Sequence, residues 1–337
     1  MDSSVIATHP QNFRYSFEYL VMNLLKTIFL LLTATPLVQA QTQAAQQTVT
    51  YVDSTRNRKL VTEIWWPPDE KKSSFPLVMF SHGTGGNRLA SQWFCAGLAN
   101  KGFIVAAVDH FGNTYDNPIP IEFVSIWKRP QDISFVLSRL LAEKQFAARI
   151  NESDIFAAGF SLGGYTALAL VGAEINGDEL ITFFKSPRGR PEIEIPEMPG
   201  LINLFEQDDI VSSLRNNASL KDKRIRGAFV MAPAAGQGFT SPAQMKNVDV
   251  PVFIVGANSD KVAPVETNAK HYKNLLSDAK WYLIDGKPGH YVFLNEGNDD
   301  LKKNAPIFFS DDASVDRAEI HAKVIALAEG FLNEILK

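Results

Sequence analysis

A strand, a sharp turn and a helix follow one another without a spacer between residues 155 and 171. The apolar run 155–158 has the composition of a buried strand, and the Ala- and Leu-rich run 165–171 that of a helix. Between them stands Gly159-Phe160-Ser161-Leu162-Gly163. Such a turn strains its central residue, and glycines are needed on both sides because side chains there would collide with the neighbouring strand and helix. The pattern predicts that Ser161 stands at the edge of a sheet.

The alternation of strand and helix extends along most of the chain. Apolar runs predict strands at 48–53, 59–66, 76–81, 103–108, 155–160, 225–231, 250–255 and 280–284. Helical patterns lie between or after them, at 89–101, 131–146, 265–276 and 314–336. This order predicts an α/β fold, with a mainly parallel central sheet and helices on both faces. Ligands of such folds bind at the carboxyl ends of the strands.

Ser161 is a candidate nucleophile because the helix N-terminus after it places backbone N–H groups where a negatively charged oxygen would form. A serine hydroxyl needs a histidine base and an acid that orients the base. We favour His290, which lies in the loop after the last predicted strand and so at the same sheet edge. The other five histidines lie in the leader, in predicted helices or near strand ends: His9, His82, His110, His271 and His321.

The acid is predicted to be Asp260, in the loop after the penultimate strand. The order Ser161, Asp260, His290 is the order that this strand-turn-helix geometry uses. Asp285 is the alternative, although its position at the end of the last strand suits a role in fixing the histidine loop. No metal or cofactor is implied by this set of residues.

Two backbone N–H groups are predicted to stabilise the oxyanion. Leu162 directly follows the candidate nucleophile, and Thr84 lies in the glycine-rich stretch His82-Gly-Thr-Gly-Gly-Asn87. The alternative for this stretch is a phosphate-binding loop. It is disfavoured because no Lys-Ser or Lys-Thr pair follows and the glycine spacing is not that of a dinucleotide fingerprint.

A long interruption of the α/β pattern, about residues 173–224, is rich in proline and charge yet carries many large apolar side chains. Loops of this length are usually functional, so we predict a partly helical lid over Ser161, with a mobile surface excursion as the alternative. Substrate-binding residues are predicted to be Phe183, Phe184 and Phe205 in this segment and Tyr115 in a neighbouring loop. The pocket is expected to prefer short or medium uncharged acyl groups.

The beginning of the chain resembles a secretory signal peptide. A short charged start at 22–26, an apolar run at 27–38 and the small residue Ala40 predict cleavage after residue 40, and Met22 is an alternative start. The apolar run is about a dozen residues long, whereas roughly twenty are needed to span a bilayer. We therefore expect a secreted or periplasmic protein without a stable membrane anchor, whose domain occupies residues 41–337.

The composition limits which partners and which covalent cross-links the protein can have. The net charge of −4 is too small and of the wrong sign for a nucleic-acid or anionic-membrane surface. Cys95 is the only cysteine, so no intramolecular disulfide can form, and its apolar helical surroundings predict a packing role. The expected partner is a small molecule, and the oligomeric state is left open.

The serine turn, the order of the three residues and the strand pattern resemble the α/β-hydrolase fold over nearly the whole predicted domain. More narrowly, residues 80–88 and 99–110 are similar to platelet-activating-factor acetylhydrolases and to bacterial dienelactone-hydrolase-like proteins. Two departures matter. After the sixth predicted strand stands Met231-Ala-Pro-Ala234, where the animal acetylhydrolases carry their acid, and Ser161 stands where true dienelactone hydrolases use cysteine.

The resemblance implies a serine hydrolase that cleaves carboxylic esters through an acyl-enzyme. A peptidase, an amidase or a thioesterase with the same three residues is the alternative among enzymes, because the substrate is set by the lid and the loops. A binding protein on the same fold is the alternative among non-enzymes, and it is disfavoured because such proteins normally lose one of the three residues.

Overall fold

A sheet of eight strands runs through the part of the chain that the computed structural model describes, residues 43–69, 72–215 and 219–337. Its strands are β1 (Ala45–Asp53), β2 (Arg58–Trp66), β3 (Phe75–Ser81), β4 (Ile104–Val108), β7 (Ile150–Phe160), β8 (Ile225–Met231), β9 (Val252–Ala257) and β10 (Lys280–Ile284). Two short strands, β5 (Asn113–Thr114) and β6 (Asn117–Pro118), form a separate hairpin. The predicted signal peptide, residues 1–40, lies outside the described residues.

The strand order in the sheet is β1-β2-β4-β3-β7-β8-β9-β10. β1 pairs with β2, and β2 with β4, in antiparallel fashion, whereas the pairs from β4 to β10 are parallel. Every residue of β3, β4 and β9 is buried, which explains why these strands are continuous apolar runs in the sequence. The predicted α/β fold with a mainly parallel sheet is confirmed.

Helices cover both faces of the sheet. In chain order they are α1 (Gln92–Ala99), α2 (Pro120–Val124), α3 (Lys128–Ala142), α4 (Lys144–Ala147), α5 (Leu162–Leu170), α6 (Gly177–Lys185), α7 (Arg190–Ile193), α8 (Asp208–Arg215), α9 (Ala269–Leu275), α10 (Asp299–Asn304), α11 (Pro306–Phe309) and α12 (Arg317–Ile335). Along β3, Leu77 and Met79 pack with α3 and α5, whereas Val78 and Phe80 pack with α1 and α12. Successive side chains therefore enter two separate apolar layers.

The insertion between α5 and β8 contains α6, α7, α8 and a 3-10 helix at Leu201–Glu206. Asn176 caps α6, because its side-chain oxygen accepts hydrogen bonds from the backbone N–H groups of Asp178 and Glu179. The apolar side of α6 is buried and joins the larger apolar layer of the sheet. The described part of the insertion is thus partly helical and packs against the rest of the domain.

Predicted and observed elements agree closely where apolar runs are long. Strands 225–231 and 280–284 have the predicted bounds, whereas the helix predicted at 89–101 is shorter, at Gln92–Ala99. The helix predicted near 265–276 begins only at Ala269. The hairpin of β5 and β6 was not predicted, since strands of two residues carry no measurable period.

Candidate active site

The turn at Ser161 has the strained geometry that its sequence predicts. Ser161 adopts φ 57° and ψ −123°, a backbone conformation that non-glycine residues rarely take. A Cβ on Gly159 would lie 2.1 Å from the carbonyl oxygen of Gly163, and one on Gly163 would lie 1.9 Å from that of Ser81. The two glycines are therefore required by close backbone packing among β7, α5 and β3.

The side chains of Ser161, His290 and Asp260 meet at the carboxyl edge of the sheet. The Oγ of Ser161 lies 2.8 Å from Nε2 of His290, and Nδ1 of His290 lies 2.6 Å from Oδ2 of Asp260. All three side chains are buried. Because the carboxylate accepts a hydrogen bond from Nδ1–H, the lone pair on Nε2 faces the serine hydroxyl.

Asp260 is fixed by the backbone that follows it. Its second oxygen, Oδ1, accepts hydrogen bonds from the N–H groups of Val262 and Ala263, at 2.9 and 2.7 Å. The alternative acid, Asp285, is exposed at the end of β10. The structure therefore brings Asp260 to His290, as the chain order predicted, and leaves Asp285 at the surface.

The backbone N–H groups of Thr84 and Leu162 border the same space as Ser161. Both residues line the cavity above the serine. Among the described residues, neither N–H donates a hydrogen bond to a protein group. Leu162 is the first residue of α5, where the helix leaves its N–H groups without intrahelical partners. Both donors are thus free for a developing oxyanion.

A buried polar network holds the loop that carries Thr84. The Nδ1–H of His82 donates to the carbonyl of Gly83 at 2.6 Å, and Nε2 of His82 accepts from the N–H of His110 at 3.2 Å. Arg129 donates to the carbonyl of His82 and, at 3.2 Å, to Oγ of Ser81. Burial lowers the pKa of both histidines well below the usual value, and the Arg129 charge lowers each further. Both are therefore neutral and serve as fixed hydrogen-bonding groups.

The cavity above Ser161 has a volume of about 70 Å³. A cavity of this volume holds roughly five water-sized groups. Its wall is mostly apolar and combines the insertion, α2 and the loops after β8 and β9. It is lined by Thr84, Phe123, Ile126, Ser161, Leu162, Leu180, Phe184, Glu192, Ile193, Ile195, Glu197, Leu201, Phe205, Ala234, Ala235, Gln237, Val262, Ala263 and Asn268.

Two of the four predicted substrate-binding residues line this cavity and two do not. Phe184 and Phe205 form part of its wall, with ring centroids 5.9 Å apart. Phe183 points to a different side of α6 from Phe184, because successive residues of a helix face different directions. Its carbonyl oxygen accepts hydrogen bonds from the backbone N–H and the hydroxyl of Ser186. Tyr115 is 71% exposed at the tip of the β5–β6 hairpin.

Two residues near the site were not predicted from the sequence. Arg129 lies at the start of α3 and Glu197 lies in a proline-rich part of the insertion. Glu197 lines the cavity and accepts a hydrogen bond from the hydroxyl of Tyr291 at 2.9 Å. Burial raises the pKa of the Glu197 carboxyl, and nearby His290 opposes that rise. No local pattern marks either residue, because both act through contacts that are distant in sequence.

The described residues form neither a metal-binding cluster nor a membrane-spanning helix. No group of three or more His, Cys, Asp or Glu side chains in that part of the chain is arranged to hold a metal ion. Likewise, no helix among those residues has the length and apolarity needed to cross a membrane.

The parallel sheet, the strained serine between strand and helix, and the aspartate and histidine at the same edge define the class of this protein. It has the α/β-hydrolase fold. Residues 38–115 match the family model of platelet-activating factor acetylhydrolase, isoform II. That segment includes β1 to β4 and the Thr84 loop, so the match lies in the first four strands of the fold.

A solved structure shows the same fold over most of both chains. It is a ferulic acid esterase from Streptomyces cinnamoneus, with a TM-score of 0.56 and 17% sequence identity. The match covers 89% of this chain and 92% of the esterase. The two proteins therefore share the architecture, and at this identity the likeness concerns the fold alone.

Proposed function

We propose that the protein hydrolyses carboxylic esters through an acyl-enzyme on Ser161. The observation that carries the proposal is the continuous hydrogen-bonded chain from Ser161 Oγ through His290 to Asp260. The similarity to the acetylhydrolase model, and the fold shared with an esterase, support ester chemistry. The proposal needs no cofactor, because the three side chains and two backbone donors supply every proton transfer and charge.

In the first half of the reaction, His290 Nε2 takes the proton of Ser161 as its Oγ attacks the ester carbonyl. The carbonyl oxygen becomes an oxyanion and accepts hydrogen bonds from the N–H groups of Thr84 and Leu162. His290 then gives its proton to the leaving alcohol, and Asp260 stabilises the imidazolium throughout. In the second half, water attacks the acyl-enzyme by the same route and releases the acid.

The cavity supports a preference for short acyl groups. A volume of about 70 Å³ accepts an acyl chain of only a few heavy atoms. The apolar wall favours uncharged groups, because burying a charge without a partner is costly. We therefore propose that the enzyme prefers short, uncharged acyl groups on esters that are soluble in water.

The test is a panel of 4-nitrophenyl esters of increasing acyl length, assayed beside peptide and thioester substrates. We expect turnover of short esters by the wild type and none above background by Ser161→Ala. Faster turnover of the peptides or thioesters would replace the esterase proposal with one of the alternatives that use the same residues. Ester hydrolysis that survives Ser161→Ala would overturn the mechanism.

We also propose that the protein is exported and that residues 1–40 are removed. The charged, apolar and small-residue pattern at 22–40 supports this proposal. Amino-terminal sequencing of the protein recovered from outside the cytoplasm should begin at residue 41. Recovery of the protein only from the cytoplasm with residues 22–40 intact would contradict it.

A further inference from the structure

Glu197 lines the cavity above Ser161 and carries an unpaired hydrogen-bond acceptor. One oxygen, Oε1, accepts the hydrogen bond from Tyr291. The other, Oε2, is buried and receives no hydrogen bond from any residue that the structure describes. Buried carboxylate oxygens without donors are uncommon and destabilising. A hydrogen-bond donor from a bound ligand would satisfy this oxygen.

A second acceptor of the same kind lies on the cavity wall. The amide Nε2 of Gln237 donates to Oε2 of Glu192 at 2.6 Å, and the hydroxyl of Thr267 donates to the same oxygen at 2.7 Å. These contacts fix the orientation of the Gln237 amide. Its carbonyl oxygen, Oε1, is buried and has no donor among the described residues.

The charge of the cavity wall indicates which ligands suit these acceptors. Among the described residues that line it, none is lysine or arginine, while Glu192 and Glu197 are both acidic. A substrate group that packs against these oxygens must supply donors of its own, because the oxygens would otherwise stay unpaired. An anionic group would lie near the carboxylates of Glu192 and Glu197 without a cation to offset the repulsion.

The cavity corresponds to the acyl side of the ester. It is lined by Ser161, which attacks the acyl carbon, and by Thr84 and Leu162, which would bind the acyl oxygen. His290, which must reach the leaving alcohol, does not line it. A group that occupies the cavity is therefore attached to the acyl carbon rather than to the alcohol.

We propose that the enzyme selects short acyl groups that carry a hydroxyl, and that this hydroxyl donates a hydrogen bond to Oε2 of Glu197. This inference rests on the proposed esterase function and specifies its substrate class. A neutral donor is preferred over a cation because a cation would have to lose its hydration in a cavity whose wall is mostly apolar. The cavity volume suits an acyl group of about four carbons.

The experiment compares esters that differ by one group of similar size. Ethyl 3-hydroxybutyrate, as each enantiomer, is paired with ethyl 3-methylbutyrate, and ethyl 2-hydroxybutyrate is paired with ethyl 2-methylbutyrate. Hydrolysis is followed by titration of the released acid. For the wild type we expect kcat/KM to be about 10- to 100-fold higher for the hydroxyl ester in at least one pair, the range for one hydrogen bond to a carboxylate.

Three variants separate recognition of the substrate from support of the fold. Glu197→Leu removes the acceptor, and we expect the hydroxyl preference to fall to within about threefold of parity. Tyr291→Phe removes the hydrogen bond to Oε1 but keeps Oε2, so the preference should persist. Glu194→Gln changes an exposed glutamate in the same segment and is the matched control.

The outcomes distinguish this inference from the function on which it rests. Equal rates within both pairs for the wild type would overturn the inference while leaving the esterase intact, even if Glu197→Leu fails to fold. Faster turnover of ethyl 3-aminobutyrate than of the hydroxyl ester would overturn the choice of a neutral donor. A hydroxyl preference that persists in Glu197→Leu would show that Glu197 does not recognise the hydroxyl. Inactivity toward every ester would overturn both proposals.

Discussion

At the scale of single residues, the site depends on a serine held in an unfavourable backbone conformation. A positive φ at a non-glycine residue costs of the order of 1–3 kcal/mol and persists only when the surroundings impose it. Here the imposing contacts are backbone to backbone, between Gly163 and the carbonyl of Ser81 and between Gly159 and that of Gly163. This backbone conformation places Ser161 Oγ within hydrogen-bonding distance of His290.

Gly163→Ala tests that packing. Its Cβ would lie 1.9 Å from the Ser81 carbonyl oxygen, so the backbone must shift, and we expect the free energy of unfolding to fall by about 3 kcal/mol. Gly330→Ala is the control, because its Cβ meets nothing within 4 Å and alanine favours the helix α12 by up to about 1 kcal/mol. Urea unfolding of both variants gives the comparison. Equal stability of Gly163→Ala and the wild type would contradict the packing argument.

Asp260→Asn tests which carboxylate orients His290. The asparagine amide can present a donor to Nδ1 and so favours the wrong tautomer, and we expect kcat to fall by about ten thousand-fold. Asp285→Asn should stay within about twofold of the wild type, because Asp285 is exposed. Steady-state kinetics with a short 4-nitrophenyl ester measures both. A large loss in Asp285→Asn alone would mean that the acid has been misidentified.

At the scale of elements, the insertion and the His290 segment are joined across the site. The Tyr291 hydroxyl, in the 3-10 helix His290–Phe293, donates to Glu197 in the insertion. On the opposite side, Arg129 at the start of α3 ties down the loop of Thr84 by its bond to the His82 carbonyl. The candidate catalytic groups therefore come from loops, but each loop is fixed by a neighbouring element.

Phe184→Leu and Phe205→Leu test whether the insertion sets acyl length. Both rings line the cavity, so a smaller side chain enlarges it and should admit longer acyl chains. We expect the ratio of kcat/KM for hexanoate to that for acetate to rise by about tenfold or more, equivalent to 1–3 kcal/mol of discrimination. Phe183→Leu is the matched control, since Phe183 does not line the cavity. An unchanged profile in both cavity variants would mean that the insertion does not select the acyl group.

At the scale of the whole molecule, the features that depend on local sequence pattern could be predicted, whereas the features that depend on packing could not. The strands were predictable because both faces of β3, β4 and β9 are buried, which leaves an apolar run. Ser161, Asp260 and His290 were predictable as a set because each follows a strand of one parallel sheet. The orientation of Phe183 relative to Phe184, and the exposure of Tyr115, depend on helix rotation and loop geometry that composition does not encode.

The last helix also supports the site, through a histidine that is remote from the serine. His321 in α12 donates from Nε2 to the carbonyl of Val292 at 2.8 Å, two residues after His290. Its ring stacks on Trp93 of α1 at 3.8 Å between centroids, and Trp93 donates to the carbonyl of Phe293 at 2.9 Å. Helices α1 and α12 thus both bind the segment that carries His290.

This arrangement predicts how stability depends on pH. Burial lowers the pKa of His321 to about 4, with a hydrogen bond to Val292 and the charge of Asp311 opposing the shift and that of Arg317 adding to it. The unfolded chain binds this proton near pH 6.5, so between pH 6.5 and 4 it holds more protons than the folded one. The stabilisation is therefore complete above pH 6.5 and is lost as the pH falls to 4, by about 3 kcal/mol.

His321→Gln isolates that titration from those of the other groups. Glutamine keeps an N–H donor for the Val292 carbonyl but carries no titratable proton, so any constant change in stability cancels when slopes are compared. We expect the free energy of unfolding of the wild type to fall more steeply than that of His321→Gln between pH 6.5 and 4, measured by urea unfolding at each pH. Parallel curves for the two proteins would show that His321 titrates alike in the folded and unfolded chains, and that burial between α1 and α12 does not hold it neutral.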